Sequence, residues 1–437
     1  MSSEKENIIF KKPYESILFR GLFLFVTVTS IPFYPSFYLK DYSESFQTKS
    51  HPFRIIDVAS QNNPWFFNNA DGKNYVGWFI TLLLSIVIGA IWYFFDKKRK
   101  DFSQLSYWFF VIVRYSLALR MSWFAIAKVF PVQMPFPTIS QLNTNLGEFT
   151  PGKLYWLTTG VSPFFEVFAG IFELTATILI LFRRTTTLGA LMMVAILLPI
   201  WFVNIGYDAG VELTSLHIFT LAVLLLVKDF KPFWDLLILH KASNIPAFIS
   251  PDFLKKWQNN TRLVLKWGFI LIFLVYRGFE YGRVYAADKT FKLPLTDGVK
   301  EFAGFYDVSA FSINNQIIPY STTDTIRWQN VVFEKFNTFS IKVGSQTKLN
   351  TDNKARTTEY YGNVGRLYYG YEIDSLKQSL TLWNRADTSK KILLKYKHIN
   401  HKQFILKGIN ESGDSLFVIL RKIEKQYPLV EKKVRIF

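Results

Sequence analysis

Residues Pro163–Phe182 read PFFEVFAGIFELTATILILF, an apolar run that carries two carboxylates, Glu166 and Glu173. About 20 such residues wound as a helix cross the roughly 30 Å of bilayer hydrocarbon. A charge at that depth is costly unless paired or hydrated, so it needs a structural or chemical reason. Positions i and i+7 share a helical face, which places the two acids about 10 Å apart along one side of the helix. Gly170 lies on that side too and would let a second helix approach closely.

Six further runs have the same character: Ile17–Tyr38, Asn74–Phe95, Ser106–Phe130, Leu188–Tyr207, Leu213–Val227 and Arg262–Arg283. The last is interrupted by Lys266 and Arg277, which must snorkel or pair. The first lacks an A-x-A-like cleavage site and reads as a retained helix. Cations flank these runs: Lys11 and Lys12, Lys97 to Lys100, Arg183 and Arg184, and Lys228, Lys231, Lys241, Lys255 and Lys256. With seven alternating helices all of them fall on one side, which the positive-inside rule makes cytoplasmic. The N-terminus is then cytoplasmic, and whatever follows the seventh helix is extracytoplasmic. Phe233–Leu239 is too short to span and suits the interface.

Composition agrees. Charged residues make up 19% of the chain, below the roughly 25% usual in soluble domains. The net charge of +18 follows from these flanks, so it points to a lipid bilayer and not to nucleic acid. The absence of cysteine excludes disulfides, thiolate metal sites and dithiol redox chemistry within the chain.

Beyond Ala287 the hydrophobic period becomes two. Gly304–Val308, Phe339–Val343, Lys391–Tyr396, Gln403–Leu406 and Ser415–Leu420 read as strands, with turns at Asn314-Asn315, Asn350–Asn353 and Asn410–Asp414. The expected fold class is a membrane helical bundle of about seven spans followed by an antiparallel β barrel or sandwich. The expected domains are a two-helix region (1–105), a four-helix bundle (106–230), an interfacial segment with the seventh helix (231–287) and an extracytoplasmic β domain (288–437).

The candidate site lies in the four-helix part. On the third helix Arg114 and Lys128 share a stripe, with Arg120 about a third of a turn away. Depth and phase pair Lys128 with Glu166, and leave the partner of Glu173 open between Arg114 and Arg120. Asn204, Asp208, Glu212 and His217 flank a short loop and are expected to meet in the outer leaflet. A carboxylate beside an imidazole makes a proton-exchanging group near neutral pH. A structural ion network, a proton or ligand site, and a transport path all remain open. His398-x-x-His401 lacks the further ligands of a metal site and reads as a solvated loop. His51 with Trp65, Phe66 and Phe67 suits a membrane interface. No metal is expected.

Ala125-Ile126-Ala127-Lys128-Val129-Phe130 with Gln133 and Pro135-Phe136-Pro137, then Glu173, Phe182–Leu191, Tyr207-Asp208 and Ser215-Leu216-His217, resemble the DoxX-like membrane family in its large Bacteroidota form. The resemblance covers about a quarter of the chain, Arg114–Phe230. It implies an inner-membrane four-helix core with a periplasmic β domain. Relatives in that family are linked to quinone-dependent sulfur oxidation, oxidative-stress complexes and assembly of membrane proteins. A quinone-like ligand would then meet His217, Asp208 and Glu173 as proton-handling groups, with Lys128 or Arg120 stabilising negative charge. Arg114, Glu166, Asn204 and Glu212 would line its site. The alternative is a non-enzymatic scaffold or assembly factor whose β domain holds a periplasmic or membrane partner.

Overall fold

A computed structural model describes residues 12–31, 75–244, 255–290, 292–351, 358–385, 391–400 and 402–431. His51, Trp65, Phe66, Phe67 and His401 lie outside them, as does the Asp352-Asn353 end of one expected turn. The chain divides into two compact units, Met1–Phe130 with Phe168–Gly282, and Pro131–Val167 with Arg283–Phe437.

The first unit is helical. Its elements are α1 (Pro13–Ser30), α2 (Tyr75–Phe95) and α3 (Ser103–Val129). Two short helices of the second unit follow, α4 (Ile139–Leu142) and α5 (Pro151–Gly160). Then come α6 (Pro163–Leu181), α7 (Thr186–Gly206), α8 (Glu212–Leu226), the amphipathic α9 (Phe230–Leu237), and α10 (Lys256–Ile270). A π turn over Leu271–Tyr276 joins α10 to α11 (Arg277–Ala286). Among the described residues five helical stretches are long and apolar enough to cross a membrane: Tyr75–Phe95, Ser103–Val129, Pro163–Leu181, Thr186–Gly206 and Glu212–Leu237. This is a multi-pass membrane protein. Glu15 and Arg20 lower the hydropathy of α1, and Lys266, Arg277 and Arg283 that of the α10–α11 rod.

Apolar side chains of this unit meet in one core that includes Phe25, Trp78, Leu117, Met121, Ile180, Met193 and Leu221. Small residues bring backbones together. A Cβ on Gly89 would fall 2.6 Å from the Gly21 nitrogen, so α1 and α2 touch along their backbones. A Cβ on Gly170 would fall 2.5 Å from the Val129 nitrogen, so α6 lies directly on α3, as its glycine predicts.

The second unit is built on strands β1 (Gly304–Ile313), β2 (Gln316–Ile317), β3 (Asn330–Phe333), β4 (Thr338–Lys342), β5 (Leu367–Asp374), β6 (Ser379–Asn384), β7 (Lys391–Asn400), β8 (Gln403–Ile409) and β9 (Ser415–Ile423). All pair antiparallel, and β1 also pairs with β9, so eight of them close into an up-and-down barrel with β2 as a spur. Closure leaves no open edge among the eight barrel strands; β2, two residues long, is an edge only in the spur. Asn314 and Asn315 both have positive φ, 51° and 64°, the geometry of a tight primed hairpin turn. Inward residues alternate with outward ones: Phe339 and Ile341 join the interior, while Thr338 and Ser340 face out. The interior is aromatic. Phe302 contacts Phe333, Tyr396, Phe404 and His398 and plugs one end. His398 therefore sits on strand β7 and not in a loop.

Residues 131–167 belong to this unit although they fall between membrane helices in sequence. They cover the outer face of β3–β5. The Thr150 nitrogen donates to the Gly362 carbonyl at 2.8 Å, and the Val364 nitrogen to the Glu148 carbonyl at 2.9 Å.

Candidate functional site

The buried charges on α3 and α6 have definite partners. Lys128 Nζ donates to Glu173 Oε1 at 2.5 Å. The expected pairing with Glu166 is thus corrected. Glu166 stands near the start of α6 and accepts the Met134 backbone N–H at 3.0 Å. Helical phase could not foresee this, because Gly170 seats α6 against Lys128 and Val129 and so fixes which acid meets the lysine.

Arg114 and Arg120, the alternatives for Glu173, go elsewhere. Arg114 donates from Nε to the Ile180 carbonyl and from Nη2 to the Leu181 carbonyl, both at 2.8 Å. Those carbonyls end α6 and have no helical partner of their own, so the guanidinium caps the helix. Arg120 donates to the Thr29 carbonyl near the end of α1 at 3.1 Å. Arg277 donates to Ser122 Oγ at 2.8 Å, tying the α10–α11 rod to α3.

The expected outer cluster is only partly assembled. Asn204 Nδ2 donates to Ser215 Oγ at 3.0 Å, joining α7 to α8. Glu212 accepts the Gly210 N–H at 3.2 Å. Asp208 turns out to solvent at a positive φ of 51°. His217 is 1% exposed, with Nδ1 accepting from Trp78 Nε1 at 3.3 Å and Phe25 edge-on at 6.1 Å. Asp208 and His217 therefore face different surroundings: the turn that ends α7 aims the acid outward, while α8 buries the imidazole.

Arg20, not singled out beforehand, is fully buried. It pairs with Asp96 at 3.3 Å, bonds Ser16, and lies over the Phe102 ring at 4.8 Å. A cation inside the first apolar run was its signal.

The second unit holds a buried polar network without a sequence forerunner. Glu334 accepts from the Ile139 and Ser140 nitrogens at 3.2 and 2.6 Å and from Ser140 Oγ at 2.6 Å. It caps α4 from a position 194 residues away. Ser340 contacts Ser140 at 2.7 Å and accepts from Arg366 Nε at 2.8 Å. Arg366 also reaches Asn330 at 2.7 Å. Glu359 accepts from Thr338 at 2.7 Å and pairs with Arg385 at 3.5 Å. Lys153 bonds the Thr358 carbonyl, to which Gln141 also donates at 3.2 Å.

Burial dominates the titration here. It pushes the Glu359 carboxyl up to about 7, against the pull of Arg385, and lowers the Lys153 ammonium to about 7, against the pull of Glu359. Burial lowers Lys292, which lies over the Trp156 ring at 5.3 Å, to about 8. Glu334 is also raised by burial, opposed by its donors from Ser140. Among the described residues no group of three or more His, Asp or Glu is arranged to hold a metal ion.

No family model matches the chain, and no solved structure matches it. An uncharacterised protein of Bacillus subtilis (strain 168), YwoB, is 33% identical over 96 residues, 20% of this chain and 62% of that protein. The chain thus spans less than two thirds of that relative's length.

Proposed function

We infer that this protein is a membrane scaffold whose β barrel holds a partner protein. The observation that carries the reading is the use of the buried charges. Lys128 is held by Glu173, Arg114 by the end of α6, Arg120 by Thr29 and Arg277 by Ser122. Such bonds fix helix register and rotation. They suit a rigid holder better than a proton path, in which groups must change partner.

The cation flanks support placement in the inner membrane, with the N-terminus in the cytoplasm and the barrel in the periplasm. Kinship with the DoxX-like family rests on its motif residues, Lys128 and Glu173 among them. Pull-down of the full chain in mild detergent should return a stoichiometric protein partner. A clean preparation with none would sink the scaffold reading. The cysteine-free chain permits a direct topology test: Leu376→Cys, at a residue 99% exposed, should react with an impermeant maleimide from the periplasmic side.

One observation favours the second reading, a quinone-like ligand. His217 is an imidazole set among Trp78 and Phe25 in the apolar core. That reading requires a quinone to copurify and His217→Phe to release it.

A further inference from the structure

The barrel is plugged by Phe302 at one end and open at the other. The open end holds a cavity of about 150 Å³. The cavity opens to solvent, with an apolar floor and a polar rim of Asn410, Glu411 and Ser412. Its floor is Phe311, Ile392 and Leu416, each 2–3% exposed. Trp328 and Tyr369 form part of its wall, and Phe311 and Trp328 lie 6.0 Å apart at 47°. Among the described residues the rim carries one charged residue, Glu411.

Three features define the ligand. First, among the described residues the lining has a carboxylate and no lysine or arginine, in a chain with 51 Lys and Arg against 33 Asp and Glu. Secondly, Glu411 sits beside the buried aromatics. Burial raises the Tyr369 hydroxyl, and the charge of the Glu411 carboxylate raises it further. Thirdly, the turn that presents Glu411 is rigid. Asn410 Oδ1 accepts the Ser412 and Asp414 N–H groups at 2.9 and 2.8 Å, and Asn410 Nδ2 donates to Asp414 at 3.2 Å. Among the described residues no lysine, arginine or histidine forms an ion pair with Glu411.

Aromatic walls with one carboxylate attract a cation that has an apolar skin, through ring quadrupoles and charge together. An anion would be repelled by both. A hydrated metal ion would gain little from the rings. We propose that the open end of the barrel, at Phe311, Trp328, Tyr369 and Glu411, binds a small methylated-ammonium group. This inference is independent of the scaffold reading, since it concerns the barrel interior and not a protein surface.

The test is calorimetric titration of the full chain in a maltoside detergent with choline and with its neutral isostere, 3,3-dimethylbutan-1-ol. Choline should bind about tenfold more tightly than the isostere, and Glu411→Gln should erase that preference. Glu411 is exposed on a turn, so this variant should fold. Equal binding of the two probes, or no binding of choline at tens of millimolar, overturns the proposal. In nanodiscs, weaker choline binding with phosphatidylcholine than with phosphatidylglycerol identifies the group as a lipid head group. Equal binding identifies a free molecule.

Discussion

Replacing Lys128 by methionine should destabilise the helical unit more than replacing Glu173 by glutamine. The two charges meet at 2.5 Å, and the side chains are 11% and 1% exposed. At an effective dielectric of about 20 their attraction is roughly 6–7 kcal/mol, most of it offset by desolvation. Losing one partner is worse than losing both, because the survivor is stranded. Lys128→Met strands the fully enclosed carboxylate and should cost about 3–5 kcal/mol. Glu173→Gln leaves an ammonium on a flexible stem that keeps 11% exposure and can swing toward water, and should cost about 1–2 kcal/mol. The double variant should return to within about 1–2 kcal/mol of the parent. The assay is reversible unfolding in mixed micelles, read as a double-mutant cycle. A control cycle of Lys128→Met with Glu166→Gln should be additive, since Glu166 is bound to the Met134 N–H. Additivity in the first cycle, or coupling in the control, would refute the pairing.

Three further outcomes follow from the same contacts. Glu359 is raised from 4.5 to about 7, so its stabilising contribution is present below pH 4.5 and lost as pH rises toward 7. Lys153 is lowered from 10.5 to about 7, so its contribution is present above pH 10.5 and lost as pH falls toward 7. Thermal unfolding of the barrel unit should therefore show a shallow minimum near neutrality, with Glu359→Gln flattening its acid limb and Lys153→Met its alkaline limb. Glu334→Ala strands three donors of the 139–140 turn and should cost about 3–5 kcal/mol, with Glu334→Gln costing less; chemical denaturation measures both. Gly170→Ala forces a carbon within 2.5 Å of the Val129 nitrogen and should cost about 1–3 kcal/mol in the same micelle assay.

Much of the fold could be read from residue order. The apolar runs became helices, with Ser106–Phe130 observed as Ser103–Val129. The change of period after Ala287 became strands, and Asn314-Asn315 became the first hairpin. That these strands close into a barrel depends on the pairing of β1 with β9, which joins residues more than 100 apart and leaves no local trace. Helical phase misassigns the partner of Lys128, because it gives a direction but not the seating of one helix on another. Gly170 decides that seating. The network around Glu334 and Glu359 was invisible for a different reason. Thr338 and Ser340 alternate with Phe339 and Ile341, the pattern of a half-solvated strand. Yet both are fully buried: Ser140 of the covering segment lies against Ser340, and Glu359 and Arg385 lie against Thr338. Alternation shows which face is not the core; it does not show what lies over that face.

That cover has a consequence for biosynthesis. Ser140 leaves the ribosome 194 residues before Glu334, with several membrane helices still to be made in between. Chains grow and fold from the N-terminus, so the covering segment waits while the rest of the bundle is inserted and the strands arrive. During that interval its Ser140, Gln141 and Lys153 have only water or a chaperone for company. A nascent chain stopped before residue 304 should therefore present this segment as a protease-sensitive site, which closes only when Glu334, Ser340 and Gly362 have been made.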